Sequence, residues 1–184
     1  MIAQIVHAVS GVVLFFAIFP YVRLRGYTKF LTLISSASFL MCSLTSFYDI
    51  NHELLELFGA TLFYFVVWNS ARVKFLTSED YKPPMFSPVL TLISFIFALK
   101  FVSVSYGIIM ANAIYLIAHS RKQVYRLAGD SIALYVACTF VLIESALEFL
   151  NYPIASYYLK FSYSYILLLT QIRIYREFMK RPIP

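Results

Sequence analysis

Between Phe86 and Ser120 the chain carries one charged side chain, Lys100. As a single helix these residues, about 35 of them at 1.5 Å each, would be roughly 52 Å long. The hydrocarbon core of a bilayer is only about 30 Å thick. The stretch therefore predicts two membrane spans joined by a tight turn near Val102–Tyr106, where Ser103, Ser105 and Gly107 suit a turn. One long tilted helix is the competing reading.

The rest of the chain repeats this pattern of long apolar runs. A spanning helix needs about 20 mostly apolar residues. Runs of that kind cover roughly Ile2–Val22, Thr28–Tyr48 and Leu54–Lys74, then roughly Phe86–Val102, Val104–Ser120, Gly129–Phe149 and Ile154–Tyr175. Asp130 or Ser131 is expected to cap the sixth. Thr77–Pro84 is the longest polar loop, and its paired prolines exclude a continuous helix there. Composition agrees. The 184 residues are 61% apolar and 13% charged, where a soluble domain runs about 45–50% and about 25%. A water-soluble core of this size could not hide so much apolar surface. The expected fold is an all-α polytopic membrane protein of seven transmembrane helices.

The net charge of +6 and pI near 9.3 would suggest nucleic acid in a soluble protein. Here the basic residues serve topology. Arg23, Arg25 and Lys29 follow span one, Arg72, Lys74 and Lys82 follow span three, and Arg121, Lys122 and Arg126 follow span five. Arg173, Arg176, Lys180 and Arg181 end the chain, so 13 of the 15 basic residues share one side of a seven-span bundle. The positive-inside rule then sets the N-terminus outside and the C-terminus in the cytoplasm. The expected location is the cell membrane, with the lipid bilayer as partner and no nucleic acid. No Lys or Arg precedes the first apolar run, so it reads as a retained helix rather than a signal peptide. Cys42 and Cys138 lie inside apolar runs and read as packing residues.

Sliding the chain by 101 residues lays spans one to three over spans five to seven. Arg25 then falls on Arg126, and Asn69-Ser-Ala-Arg72 on Thr170-Gln-Ile-Arg173. Identities are few; the register of spans and charges is what matches. The implied plan is a three-helix half (residues 1–75), a cytoplasmic loop and linker helix (76–102), and a second half (103–184) with a short basic tail. In that topology the chain resembles SWEET and PQ-loop proteins, whose halves are parallel repeats. The Pro-Gln pair of the second group is absent, and Pro20 has no counterpart in span five.

Two basic residues remain, Lys100 and Lys160, each inside a span near its outer end. Lys160 is about six residues in, or roughly 9 Å deep. Glu144 lies at a similar depth in span six, with Glu148 one turn above it on the same face, and His7 in span one. Asp49, His52, Glu53 and Glu56 cluster at the outer turn between spans two and three. Ionisable groups at such depth usually face the bundle interior and mark function, although long lysine stems can also reach the headgroups. Lys100, Lys160, Glu144, Glu148 and His7 are therefore candidate ligand-binding residues, with Lys160 expected to pair with Glu144. Asn112, near the middle of span five, joins them as a polar group on a solute path. Asn69, Ser70, Thr170 and Gln171 form a second polar layer toward the inner ends. Polar residues of this kind also join membrane helices by hydrogen bonds.

The three histidines offer no haem pair at one depth and no zinc triad on one face, so no metal and no cofactor is expected. No phosphate-binding glycine loop, nucleophile elbow or HExxH pair occurs, which leaves an enzyme unsupported. The function expected is a small-solute transporter or ligand-binding bundle with a polar pocket open to the outside. The alternatives are an accessory subunit of a larger membrane complex and a sensor signalling through a partner. Protein partners or a homo-oligomer fit either.

Overall fold

The computed structural model describes residues 1–23, 26–45, 47, 52–72, 84–124 and 128–179. These form seven α-helices and one short 3₁₀ helix. They are α1 (Ile2–Ile18, continued by the 3₁₀ turn Phe19–Arg23), α2 (Tyr27–Thr45), α3 (His52–Arg72), α4 (Phe86–Ala98), α5 (Val102–Val124), α6 (Ala128–Phe149) and α7 (Pro153–Met179). The expected all-helical fold is present. Four segments are long and apolar enough to cross a membrane: Ile2–Val22, Tyr27–Thr45, Val102–Ser120 and Asp130–Phe149. They suggest an integral membrane protein. Asp49, Arg25, Lys74, Lys82, Arg126, Lys180, Arg181 and most of the 77–84 loop lie outside the described residues, and with them six of the 13 basic residues that argue for orientation.

The long apolar stretch does break into two helices, but earlier than expected. α4 ends at Ala98, and the turn Leu99–Phe101 is held by the Lys100 and Phe101 amides donating to Phe97 O at 3.0 and 2.7 Å. Ser103, Ser105 and Gly107 are already helical. Ser105 Oγ reaches back to Ser94 O at 2.8 Å, and Gly107 faces Ser145 of α6. The small polar residues that resemble a turn in sequence are instead contact residues between helices. Asp130 and Ser131 correct a second expectation. The helix begins ahead of them, at Ala128. Asp130 Oδ1 instead accepts from Arg173 Nη1 of α7 at 2.9 Å, and Ser131 Oγ donates to Ala118 O of α5 at 3.3 Å.

Packing contacts run α1–α2–α3–α5–α6–α7 and return to α1, so six helices close a ring. The seventh, α4, packs against α5 outside that ring. It is inverted relative to a soluble amphipathic helix. Ser87, Thr91 and Ser94 form its buried stripe, while Val89, Leu92, Ile93 and Ile96 are exposed. Asn112 Nδ2 holds the stripe by donating to Ser87 O (2.9 Å) and Thr91 Oγ1 (3.0 Å), and Ser87 Oγ donates to Asn112 Oδ1 (3.1 Å). Large apolar side chains such as Phe16, Phe30 and Leu142 point outward elsewhere on the bundle. An apolar exterior around a polar seam suits lipid as the surrounding solvent.

Inside the ring lies an apolar core. It includes Leu14 and Ile18 of α1, Phe63 and Val67 of α3, Ile109 and Ile114 of α5, Leu134 and Val141 of α6, and Leu167 of α7. Two close crossings set the spacing of neighbouring helices. A Cβ on Gly11 would meet Phe39 O at 2.6 Å as well as the Ser43 side chain; one on Gly107 would meet Ser145 Cβ at 2.5 Å. Overpacking of this kind costs about 1–3 kcal/mol, so Gly11→Ala and Gly107→Ala should each lower the melting temperature in detergent. Adding Ser145→Gly should recover most of the second loss. Adding Ser43→Gly should not recover the first, because the Phe39 carbonyl remains. Equal recovery in both melts would refute the backbone contact at Gly11.

Candidate functional site

Above the apolar core, at the end where α1, α3, α5 and α7 begin, the interior becomes polar. The turn between α6 and α7 sets part of this level. Asn151 sits at φ 62°, the Tyr152 amide donates to Leu147 O (2.8 Å) and the Asn151 amide to Glu148 O (3.0 Å). That pair of bonds is the Schellman stop for a helix, with asparagine taking the left-handed position glycine more often fills. Pro153 then starts α7, where a missing N–H costs nothing. The tight hairpin brings Ser156 across from Glu144, and Lys160 follows Ser156 one turn later on the same face.

Four helices deliver the charged centre. His7, Glu56, Glu144 and Lys160 are each 3% exposed or less. Lys160 Nζ forms an ion pair with Glu56 Oε1, which also lies 2.8 Å from His7 Nε2. His7 Nε2 is in turn 3.0 Å from Lys160 Nζ. One ring nitrogen cannot donate to the carboxylate and accept from the ammonium at once. With its proton on Nε2 the neutral imidazole donates to Glu56; with the proton on Nδ1 it accepts from Lys160. The triangle thus holds two proton placements with almost no movement of heavy atoms.

Aromatic groups frame the triangle. The Tyr157 ring stacks on His7 at 4.5 Å and 4°, and Lys160 Nζ lies 5.4 Å from the centre of the Tyr106 ring. Tyr106 and Tyr163 share a hydroxyl–hydroxyl hydrogen bond beneath the cluster and cap the apolar core. Toward the rim the His52 ring lies 4.7 Å from that of His7, and its Nε2 is 3.9 Å from Glu148 Oε1. His7, His52 and Glu56 each offer a ligand atom, and these atoms all lie within 4.8 Å of one another. Among the described residues, Glu144 Oε1 accepts from Ser156 Oγ at 3.5 Å, while Glu144 Oε2 and His52 Nε2 are buried with no hydrogen-bond partner.

Of the candidates named from sequence, His7, Lys160, Glu144 and Glu148 come together. Lys160, however, takes Glu56 and not Glu144 as its partner, because α3 brings Glu56 to the same depth from across the ring. Lys100 does not join them; it is exposed at the α4–α5 turn, 5.4 Å from the centre of the Phe101 ring. Asn112 also lies apart, occupied with α4. The inner layer is mostly packing. Ser70 and Thr170 donate to carbonyls of their own helices, at Val66 O and Ile166 O, and Gln171 Nε2 donates to Tyr21 OH at 2.9 Å. Asn69 is half-buried at the same inner level. Cys42 Sγ donates to His52 O at 3.8 Å and Cys138 Sγ to Ala111 O at 3.4 Å. In sequence His7 and His52 can share one end with Glu53 and Glu56; of the two carboxylates it is Glu56, one turn after His52, that joins the histidines in one donor set.

No protein-family model, curated protein or solved structure matches the chain.

Breaking a buried ion pair from one side costs about 3–5 kcal/mol, because the other charge is left unpaired. Glu56→Gln should therefore destabilise the detergent-solubilised protein by an amount of that order. Glu144→Gln should stay within about 1 kcal/mol, since it removes a carboxylate with one unmatched oxygen. Thermal or urea unfolding of the two variants side by side checks the contrast. Equal losses would mean that Lys160 depends on both carboxylates.

Proposed function

We propose that the chain is a seven-span membrane protein that binds a small solute in a polar pocket at its outer end, as a transporter or as a ligand-binding bundle of transporter architecture. One observation carries the reading: His7, Glu56, Glu144 and Lys160 converge from four helices onto one buried level. Ionisable side chains within a membrane bundle are costly, and they mark solute or ion sites far more often than packing.

The 3+1+3 duplication is supported by helix boundaries and contacts together. A shift of 101 carries the first residues of α2 and α3, Tyr27 and His52, onto Ala128 and Pro153, the first residues of α6 and α7. The same relabelling turns the α1–α2, α2–α3 and α3–α5 contacts into α5–α6, α6–α7 and α7–α1. The Gly11 and Gly107 crossings join the first and second helices of the two halves. The site itself is unsymmetrical, since the shift carries His7 onto Ile108 and Glu56 onto Tyr157. A solute seated there touches both halves, which is where relative movement of the halves would act on it. The acidic outer turn and the basic residues of the opposite end support an outward N-terminus.

Accessibility tests the pocket. In a background with Cys42→Ala and Cys138→Ala, Ser156→Cys in sealed cells should react with a membrane-impermeant thiol reagent applied outside. Its rate should exceed that of an outward-facing Ile143→Cys control by about tenfold or more, the margin separating a wet cleft from lipid. Protection by added solutes would then identify what the pocket accepts. Ser156→Cys that stays unlabelled from outside, while remaining folded, would defeat the reading.

A further inference from the structure

We propose that the outer cluster is a site for a single divalent transition-metal ion of the zinc class, held by His7, His52 and Glu56, and that the Lys160 ammonium is its built-in competitor. This rests on the outer cluster being the ligand site, and it names the solute.

The donor set comes first. Two imidazole nitrogens and one carboxylate oxygen lie within 4.8 Å of one another. Two histidines and a glutamate are among the sets that bind zinc with a position left open. Imidazole donors select against magnesium and calcium, which prefer oxygen throughout. A second, independent observation is His52 Nε2, a buried atom with no hydrogen-bond partner beside the other two donors. The charge count points the same way. Three carboxyl groups, Glu56, Glu144 and Glu148, face one ammonium, so the cluster holds more acidic groups than cations. A dication would offset the excess.

Lys160 decides how the ion would enter. Its Nζ rests against Glu56 Oε1 and His7 Nε2, on two of the three side chains the ion would need. A metal and an ammonium cannot share them. The second seat for the ammonium is Glu144, whose Oε2 has no partner and whose Oε1 is bonded to Ser156, one turn before Lys160 on α7. A change of lysine rotamer carries the charge from α3 toward α6 as the ion binds. The exchange moves one positive charge off Glu56 and places a dication there; no bond other than the coordinate bonds is made or broken.

The test is zinc titration of the chelator-stripped full chain in detergent, followed by calorimetry, with cobalt(II) absorption reporting the ligand field. One ion per chain is expected. Lys160→Met should tighten zinc at least tenfold, because the competitor is gone, and His52→Gln in that background should weaken it at least tenfold and alter the cobalt band. Glu144→Gln, which leaves Lys160 and the donors intact, should weaken zinc severalfold by removing the second seat. It also serves if the Lys160 variants do not fold. Absence of zinc binding in wild type and Glu144→Gln, unchanged affinity in Glu144→Gln, or unchanged or weaker affinity in folded Lys160→Met would each overturn the proposal. Outside labelling of Ser156→Cys without zinc binding would remove the metal and leave the pocket. Zinc binding without labelling would do the reverse.

Discussion

A buried ammonium sharing one carboxylate oxygen with an imidazole is the interaction on which the polar end of the bundle depends. Lys160, Glu56 and His7 come from α7, α3 and α1, and the bond distances among them fix the depth at which those helices sit relative to one another. In a low-dielectric interior such a group is strong when complete and costly when it is not. An apolar contact could slide along a helix by one turn at small cost, whereas this triangle cannot. It gives α1, α3 and α7 a common register, and the apolar core below then packs in that register.

Beside the apolar core, several contacts between helices are hydroxyl-to-carbonyl bonds, and the ordering of the helices follows from them. Ser35 Oγ of α2 donates to Gly59 O of α3, Ser43 Oγ of α2 to Ala8 O of α1, and Ser105 Oγ of α5 to Ser94 O of α4. Hydroxyls short enough to let backbones approach, yet able to bond across, are the usual adhesive of membrane helices. Glycines opposite serines at the α1–α2 and α5–α6 crossings extend the same logic.

Much of the fold was legible in the sequence because charge scarcity is a strong signal. The helices fall close to the apolar runs, and the α6–α7 turn lies where Asn151-Tyr-Pro153 ends the run. The α4–α5 turn was misplaced because Ser103, Ser105 and Gly107 have the composition of a turn, and only their neighbours Ser94 and Ser145 reveal them as contacts. The site was half legible. Depth along each span picked out His7, Glu144 and Lys160. Pairing depends on angular position around the ring, which depth does not encode, so Glu56 was passed over as Lys160's partner. Asn112 had the polarity of a path residue, and the serine and threonine stripe of α4 claimed it.

α4 has a mechanical consequence. Thirteen residues of helix extend only about 20 Å, against hydrocarbon about 30 Å thick. In a bilayer the lipid beside α4 would have to thin or tilt to cover Leu92, Ile93 and Ile96, while Lys100 at its end draws headgroups and water inward. The other helices are longer, at 17 to 27 residues. The protein would therefore wear a one-sided dimple in its membrane and favour thin or curved bilayers on the α4 side.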